Sequence, residues 1–253
     1  MRRATLRYAM RLLTIVHQDD SGPGVFLDAI NAVDAEHQVW KPARDPTPPA
    51  DPAGYDAIFS FGGEVHPVQD ALFPWLVTER GFLTQALDQR VPLFGVCLGS
   101  QLIAQAAGAQ AQPVSMPEIG WYEVSLTPAA ASDPLFAPLA VSGAASQPNG
   151  GFDALQWHSY EVALPAGATE LARSELCLQS YRIGDRAWGI QFHAEVTGAD
   201  FQHWLDVDGT GPDPVRIGLD VAAVAERTRE RIGAWNQLGH GLCERFLRVA
   251  AQL

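Results

Sequence analysis

The sequence has few cysteines and none of the cysteine or histidine spacings that bind metals. Only three cysteines, Cys97, Cys177 and Cys243, occur among 253 residues. Their odd number and wide spacing argue against a disulfide framework. Neither a CxxC pair nor an HExxH motif is present. The sequence therefore predicts no structural zinc site, no other metal and no cofactor.

Positive charge and long apolar runs are also scarce. Lysine and arginine number 17 against 29 aspartates and glutamates, which gives a formal net charge of −12. Such a chain repels nucleic-acid phosphates and anionic membrane surfaces, and its apolar runs are too short to span a bilayer. We therefore expect no nucleic-acid or membrane partner and a cytoplasmic location. The oligomeric state stays open.

Apolar content, by contrast, is ample. Hydrophobic residues make up 47% and charged residues 18% of the chain, which predicts a sizeable folded core. A length of 253 residues gives room for one large α/β domain or two small ones. Residues 1–9 carry three arginines and no acid, and they precede the first strand pattern. We expect these residues to form a mobile extension.

From Met10 onward, strand-like and helix-like patterns follow each other in the order β-α-β-β-α-β-α. This order is typical of a parallel or mixed sheet with helices on its faces. Parts of residues 121–126, 155–164 and 177–183 alternate apolar and polar side chains, which predicts antiparallel strands, and residues 188–192 form a mostly apolar, buried strand. We expect one α/β domain over residues 10–205, a three-layer sandwich with a mostly parallel central sheet.

The C-terminal part of the sequence has a different pattern. Residues 206–214 are rich in glycine, aspartate and proline and predict a break. Beyond the break, apolar positions recur at three- and four-residue steps and predict two helices, whose stripes are Val221, Val224, Thr228, Ile232 and Trp235, then Leu238, Leu242, Phe246, Val249 and Leu253. We expect residues 206–253 to be a helical extension packed on the domain, with an oligomer seam as the alternative.

One short segment points to nucleophilic chemistry, Gly95-Val-Cys97-Leu-Gly99-Ser-Gln101. A buried strand runs into a cysteine flanked by glycines, and a helix begins at once, as in a nucleophile elbow. The glycines remove side chains that would collide at so sharp a turn. The helix N-terminus adds a positive potential that favours thiolate, and the Leu98 N–H points to where an oxyanion would form. Taken alone, the pattern fits a buried structural cysteine equally well.

A second segment, Gln191-Phe-His193-Ala-Glu195, favours the catalytic interpretation. In extended backbone, residues two apart face the same side, which would place Glu195 beside His193. A carboxylate in that position fixes the tautomer of the imidazole and stabilises the imidazolium. Together with Cys97, the pair makes a nucleophile, a base and an orienting acid.

With these motifs the sequence resembles the class I glutamine amidotransferase family, most closely its stand-alone, GMP-synthase-like members. The resemblance covers residues 10–205 and includes Phe61-Gly-Gly63, Glu118-Ile-Gly-Trp121 and Gln156-Trp-His158 beside the two segments above. It implies a flavodoxin-like fold with the active site at the carboxyl ends of the strands.

The resemblance also implies residue roles. Cys97 attacks the carboxamide carbon of glutamine, the N–H groups of Gly63 and Leu98 hold the oxyanion, and Gln101 contacts the bound glutamine. His193 protonates the departing ammonia and then activates water, while Glu195 orients His193. The implied partners are L-glutamine or a γ-glutamyl compound, and a separate synthetase or acceptor substrate that uses the ammonia.

Two positions depart from the family pattern, and one histidine stays outside the predicted catalytic set. Ala194 and Glu64 stand where the family commonly has proline, which bears on efficiency and specificity more than on the reaction class. His158 lies near the family's glutamine pocket, and we interpret it as a hydrogen-bonded structural residue. Cys177 and Cys243 fit core positions.

Three functions stay open on the sequence alone. The first is an amidotransferase that delivers ammonia from glutamine to a separate acceptor. The second is a γ-glutamyl hydrolase or transferase, since the same chemistry cleaves other γ-glutamyl amides and pocket shape selects the amine. The third is a non-catalytic binding module that keeps the fold.

Overall fold

The computed structural model describes residues 9–141 and 151–253. Of the predicted N-terminal extension, residues 1–8 lie outside the described residues. Within the described ranges, none of the helices combines the length and the apolar character needed to cross a bilayer.

Nine strands in the described part of the chain form one sheet. They are β1 (Met10–Ile15), β2 (Ala35–Trp40), β3 (Ala57–Ser60), β4 (Leu93–Val96), β5 (Ala111–Leu126), β6 (Phe152–Val162), β7 (Thr169–Arg173), β8 (Leu178–Ile183) and β9 (Ala187–Ile190). Their spatial order is β2-β1-β3-β4-β9-β8-β7-β5-β6. The first five strands in this order are parallel, and every pairing beyond β9 is antiparallel.

The parallel half has the strand order of a flavodoxin-like doubly wound sheet, as predicted. The antiparallel strands make the whole sheet mixed, in agreement with the alternating patterns of the second half of the sequence. The sequence did not predict β7, whose five residues Thr-Glu-Leu-Ala-Arg alternate too weakly. The strand over residues 121–126 is in fact much longer, since β5 begins at Ala111.

Seven α-helices within the described residues flank the sheet. They are α1 (Phe26–Ala32), α2 (Trp75–Asp88), α3 (Leu98–Ala106), α4 (Ala137–Val141), α5 (Gly198–Asp208), α6 (Pro212–Ile217) and α7 (Val221–Ala250). Because successive strand side chains point to opposite faces, two cores form. In β3, Phe59 packs with α1 and α7 on one face, and Ile58 packs with α2 and α3 on the other.

The prediction of two helices beyond residue 214 is wrong, because a single 30-residue helix, α7, spans Val221–Ala250. The step from Trp235 to Leu238 is three residues, so the two apolar stripes join into one. Trp235, Leu242 and Phe246 are buried in the core shared with α1. The predicted break over residues 206–214 is short, since α5 ends at Asp208 and α6 begins at Pro212.

At Gly239, helix α7 closely approaches the loop that follows β9. A Cβ built on Gly239 would lie 1.8 Å from the carbonyl oxygen of Ala194, whereas one built on the exposed Gly233 would meet nothing within 4 Å. Both glycines weaken the helix intrinsically. Only Gly239 has a packing reason to be glycine.

These two glycines make a matched pair of variants. Gly233→Ala should raise the free energy of unfolding by about 0.5–1 kcal/mol, because alanine favours the helix and fits freely. Gly239→Ala should lower it by about 1–3 kcal/mol, because the methyl group overlaps a backbone carbonyl. Urea unfolding of both variants checks this, and equal stability of the two would contradict the close approach of α7.

Candidate active site

Cys97 lies on a strained turn between β4 and α3. Its backbone has φ 50° and ψ −111°, a conformation that side-chain-bearing residues rarely adopt. A methyl group built on Gly95 would lie 2.6 Å from the backbone nitrogen of Ser100. One built on Gly99 would lie 2.0 Å from the carbonyl oxygen of Ser60. The predicted elbow is therefore present, and each glycine is required by a backbone contact.

His193 and Glu195 form a buried hydrogen bond, with 2.8 Å between His193 Nδ1 and Glu195 Oε1. Both side chains are almost fully enclosed. The predicted strand over residues 188–192 ends earlier, because β9 stops at Ile190. Alternation along a strand therefore does not explain the pairing of the two side chains, and the loop that carries them must be held in another way.

Helix α7 and the start of α1 hold this loop, residues 193–196. From α7, Trp235 Nε1–H donates to the first carbonyl of the loop, that of residue 193, at 2.7 Å, and Asn236 Nδ2–H donates to the last, that of residue 196, at 2.8 Å. From the start of α1, the Val25 N–H donates to the carbonyl of residue 195 at 2.8 Å. The loop's first N–H donates to the carbonyl of Leu155 at 2.8 Å. With both sides of the backbone bonded, the imidazole and the carboxylate are fixed in space.

The environment of His193 favours the imidazolium. Burial alone would lower the pKa of His193, but the Glu195 carboxylate and the neighbouring Cys97 raise it to about 10. A methyl group built on Gly62 would lie 3.1 Å from His193 Cε1 and 3.8 Å from Cys97 Cβ, so the ring and the thiol are neighbours. Since Nδ1 is bonded to Glu195, Nε2 is the ring atom available to Cys97.

The structure also brings together the other residues predicted for the site. Gly63 and Leu98 are adjacent, because a methyl group on Gly63 would lie 3.1 Å from Leu98 Cδ2. Gln101 donates from Nε2 to the Tyr160 carbonyl at 2.9 Å and to Gln191 Oε1 at 3.0 Å, which fixes its side chain. Cys97, Leu98, Gly63, Gln101 and His193 all line one cavity, and Glu195 lies behind His193.

This cavity has a volume of about 400 Å³. Its wall includes Trp157, Tyr160 and Trp204, and the edge of the Trp204 ring lies against His193, with 4.9 Å between ring centroids. Such a mixture of aromatic walls and a few convergent polar groups is typical of small-molecule sites.

The cavity is acidic, and of the three acidic residues in its lining the sequence singled out only Glu64. Glu64, Asp208 and Asp213 line it, and among the described residues that line it none is lysine or arginine. Burial together with Asp208 and Asp20 raises the pKa of Glu64. The two aspartates come from the predicted break at 206–214. Its glycine- and proline-rich composition indicated only a loop, although loops commonly carry binding residues.

A second group of chemically active side chains supports the cavity wall. Glu118, His158 and Cys177 are buried, with ligand-type atoms within 4.8 Å of one another. Glu118 Oε2 accepts hydrogen bonds from Gln179 at 2.8 Å and pairs with His158 Nε2 at 2.9 Å, and His158 Nδ1 bonds the Tyr160 carbonyl at 3.1 Å. Metal ions use such residue types, but here their polar atoms satisfy one another and fix Tyr160.

Comparison with known proteins assigns the chain to a family. Residues 26–207 match the family model for glutamine amidotransferase class-I. The glutamine amidotransferase-like protein YfeJ of Salmonella typhimurium is 32% identical over 74% of this chain and 77% of its own length.

Two further relatives differ in the reactions that their names give. A γ-glutamyl-L-1-hydroxyisopropylamide hydrolase of a Pseudomonas species is 31% identical over 60% of this chain, and the match spans only 54% of the hydrolase. A glutamine-hydrolysing GMP synthase subunit from Halobacterium salinarum is 31% identical over 59% of this chain and 71% of its own length.

Solved structures agree on the fold. A glutamine amidotransferase from Methylobacillus flagellatus superposes with a TM-score of 0.83 at 25% identity, covering 96% of both chains. One from Thermotoga maritima gives a TM-score of 0.77 at 23% identity, covering 95% of this chain and 99% of its own. Since the family model spans well over half of the sequence and the fold agrees, the chain belongs to the class-I glutamine amidotransferase family.

Proposed function

We propose that the protein cleaves the side-chain amide of glutamine through a thioester on Cys97 and releases ammonia for a separate acceptor. One observation carries the proposal. The strained Cys97 on its elbow and His193, which is hydrogen-bonded to the buried Glu195, line a single cavity. A nucleophile, a base beside it and an acid that orients the base are the three parts that covalent amide cleavage needs.

In the first half-reaction, the Cys97 sulfur attacks the amide carbon and the carbonyl oxygen becomes an oxyanion. In this proposal the N–H groups of Gly63 and Leu98, two residues that line the cavity, donate to that oxygen. Collapse of the intermediate breaks the C–N bond. His193 gives its proton to the departing nitrogen, so ammonia leaves and a γ-glutamyl thioester stays on Cys97.

In the second half-reaction, neutral His193 takes a proton from water while the oxygen attacks the thioester carbon. The C–S bond breaks, glutamate leaves, and the thiolate–imidazolium pair is restored. Glu195 stabilises the imidazolium in both halves from 2.8 Å away. Gln101, fixed by its two hydrogen bonds, presents its side-chain carbonyl as an acceptor for the substrate.

A synthetase that accepts the ammonia would be a separate chain. Support comes from the similarity to the GMP synthase subunit of Halobacterium salinarum, whose name describes one part of a larger enzyme.

The second candidate function is hydrolysis of a γ-glutamyl amide that carries a larger amine. Two observations favour it. The cavity volume of about 400 Å³ lies within the range of pockets that hold ligands larger than glutamine, and one relative is named for hydrolysis of a γ-glutamyl hydroxyisopropylamide. Both candidates share Cys97, His193 and Glu195 and differ only in the leaving amine.

Substrate panels with a Cys97→Ser variant separate these candidates. The wild-type protein should release glutamate from L-glutamine, and Cys97→Ser should be slower by at least about 10³-fold, because its hydroxyl is a far weaker nucleophile. Glutamate release from glutamine and from a panel of γ-glutamyl alkylamides is measured side by side. Turnover of the alkylamides without turnover of glutamine would replace the first candidate with the second, and silence on every substrate would refute both.

The three thiols should differ in reactivity under native conditions. Burial raises the pKa of Cys177 and of Cys243, so neither supplies thiolate at neutral pH. Cys97 lines the cavity and faces His193. Iodoacetamide should therefore alkylate Cys97 alone, as peptide mass mapping would show. Labelling of Cys177 or Cys243 at a comparable rate would contradict the assignment of Cys97 as the nucleophile.

The role of Glu195 can be tested through the pH dependence of turnover. Glu195→Gln removes the negative charge that raises the pKa of His193 to about 10. The imidazolium then loses its proton at lower pH, so the alkaline limb of kcat/KM should move to lower pH. Profiles of wild type and variant measure this, and an unmoved limb would mean that Glu195 does not control the charge of His193.

A further inference from the structure

A third buried histidine–glutamate pair lies directly behind the proposed oxyanion loop, residues 62–63, and outside the residues that the mechanism uses. His17 Nε2 lies 2.8 Å from Glu79 Oε2, and Ser60 donates to Glu79 Oε1 at 2.8 Å. The side chains of His17 and Glu79 are 1% and 0% exposed. The His17 ring stacks on Trp75, with 5.2 Å between centroids and 20° between planes. Packed groups on several sides thus fix the position of this imidazole.

The other ring nitrogen faces the loop. His17 Nδ1 lies 3.0 Å from the carbonyl oxygen of Gly62, which can only accept a hydrogen bond. Nδ1 therefore carries a proton. With Glu79 as partner of Nε2, the imidazole can hold its Nδ1 proton either as imidazolium or as the neutral tautomer opposite a protonated carboxyl. Burial alone would lower the pKa of His17, but Glu79 and the backbone carbonyls of Gly62 and Phe61 raise it overall.

The bond to Gly62 determines the direction of the next N–H group. The Gly62 carbonyl and the Gly63 N–H belong to one planar trans peptide, so they point in opposite directions. A carbonyl held towards His17 turns the Gly63 N–H away from His17, and Gly63 lines the cavity. A peptide between two glycines rotates with little steric resistance. In the rotated form, a carbonyl oxygen would face the oxyanion and repel it.

We propose that His17, held by Glu79, is a positioning residue that locks the Gly62–Gly63 peptide with its N–H towards the reacting carbonyl. This inference rests on the proposed function and adds to it a requirement for two residues that do not touch substrate. The lock acts in the transition state, because the N–H meets full negative charge only when the oxyanion forms.

Two variants of equal charge test the lock. The amide of asparagine lies where histidine has Nδ1, and that of glutamine lies where histidine has Nε2. His17→Asn therefore keeps a donor to Gly62 but leaves Glu79 without its partner. His17→Gln keeps the bond to Glu79 but loses the donor to Gly62. The lock predicts that the less stable variant, His17→Asn, is the more active one.

The kcat of His17→Gln should fall by about 10²-fold, because the variant loses the orientation of one oxyanion donor, and its KM should stay within about threefold of wild type. His17→Asn should stay within about tenfold of wild type in kcat. Alkylation of Cys97 by iodoacetamide forms no oxyanion, so its rate should be unchanged in both variants. Thr14→Val, which removes a 2.9 Å hydrogen bond to His37 from the buried part of β1, is the control for lost stability alone.

The substrate for these assays is whichever γ-glutamyl amide the wild-type protein hydrolyses. Activity that follows stability, with His17→Gln equal to or faster than His17→Asn, would overturn the lock. So would a parallel loss of alkylation, because the damage would then lie at Cys97. A wild-type protein without turnover would refute the proposed function itself, whereas active wild type with two fully active variants would refute only the lock.

Discussion

The site depends on the pairing of β4 with β9. These parallel strands end at the same edge of the sheet, with Val96 opposite Ile190. The Cys97 N–H continues the ladder by donating to the Ile190 carbonyl at 2.8 Å. One strand therefore delivers Cys97, the proposed nucleophile, and its neighbour delivers the loop with the His193 imidazole. Because a slip of one residue reverses the direction of every side chain, the sheet register sets the distance between Cys97 and His193.

What could be predicted from sequence follows from how far apart the contacting residues lie along the chain. The elbow around Cys97 is local, and His193 reaches Glu195 two residues away. Both are visible in short motifs. The Trp235 bond to His193 spans 42 residues, and the His17 contacts span 45 and 62. Their sequence neighbours carry no pattern that would predict these partners, because the partners meet only when the sheet and helices assemble.

The same distinction explains the C-terminal part of the chain. Periodicity predicts the apolar face of α7 except for Leu253, which lies beyond the helix and is exposed, and it does not predict that the helix is continuous. Composition predicts the loop at 206–214 but not that the loop lines the cavity. The contact that matters is the approach of Gly239 to the backbone of Ala194, between the imidazole and its carboxylate. This close approach allows Trp235 and Asn236 to reach the carbonyls of the loop at residues 193–196. The C-terminal helix is thus part of the support of the site.

Glycine at the proposed oxyanion loop, residues 62–63, creates a conflict that other residues must resolve. A methyl group on Gly62 would press on the His193 ring, and one on Gly63 would press on His17 and Leu98. Two consecutive glycines avoid both tight contacts. Their freedom to rotate is a cost in the proposed mechanism, because only one orientation of the peptide between them donates to the oxyanion. Since glycine has no side chain to fix its own backbone, the constraint must come from elsewhere, and the Nδ1–H of His17 is placed to supply it.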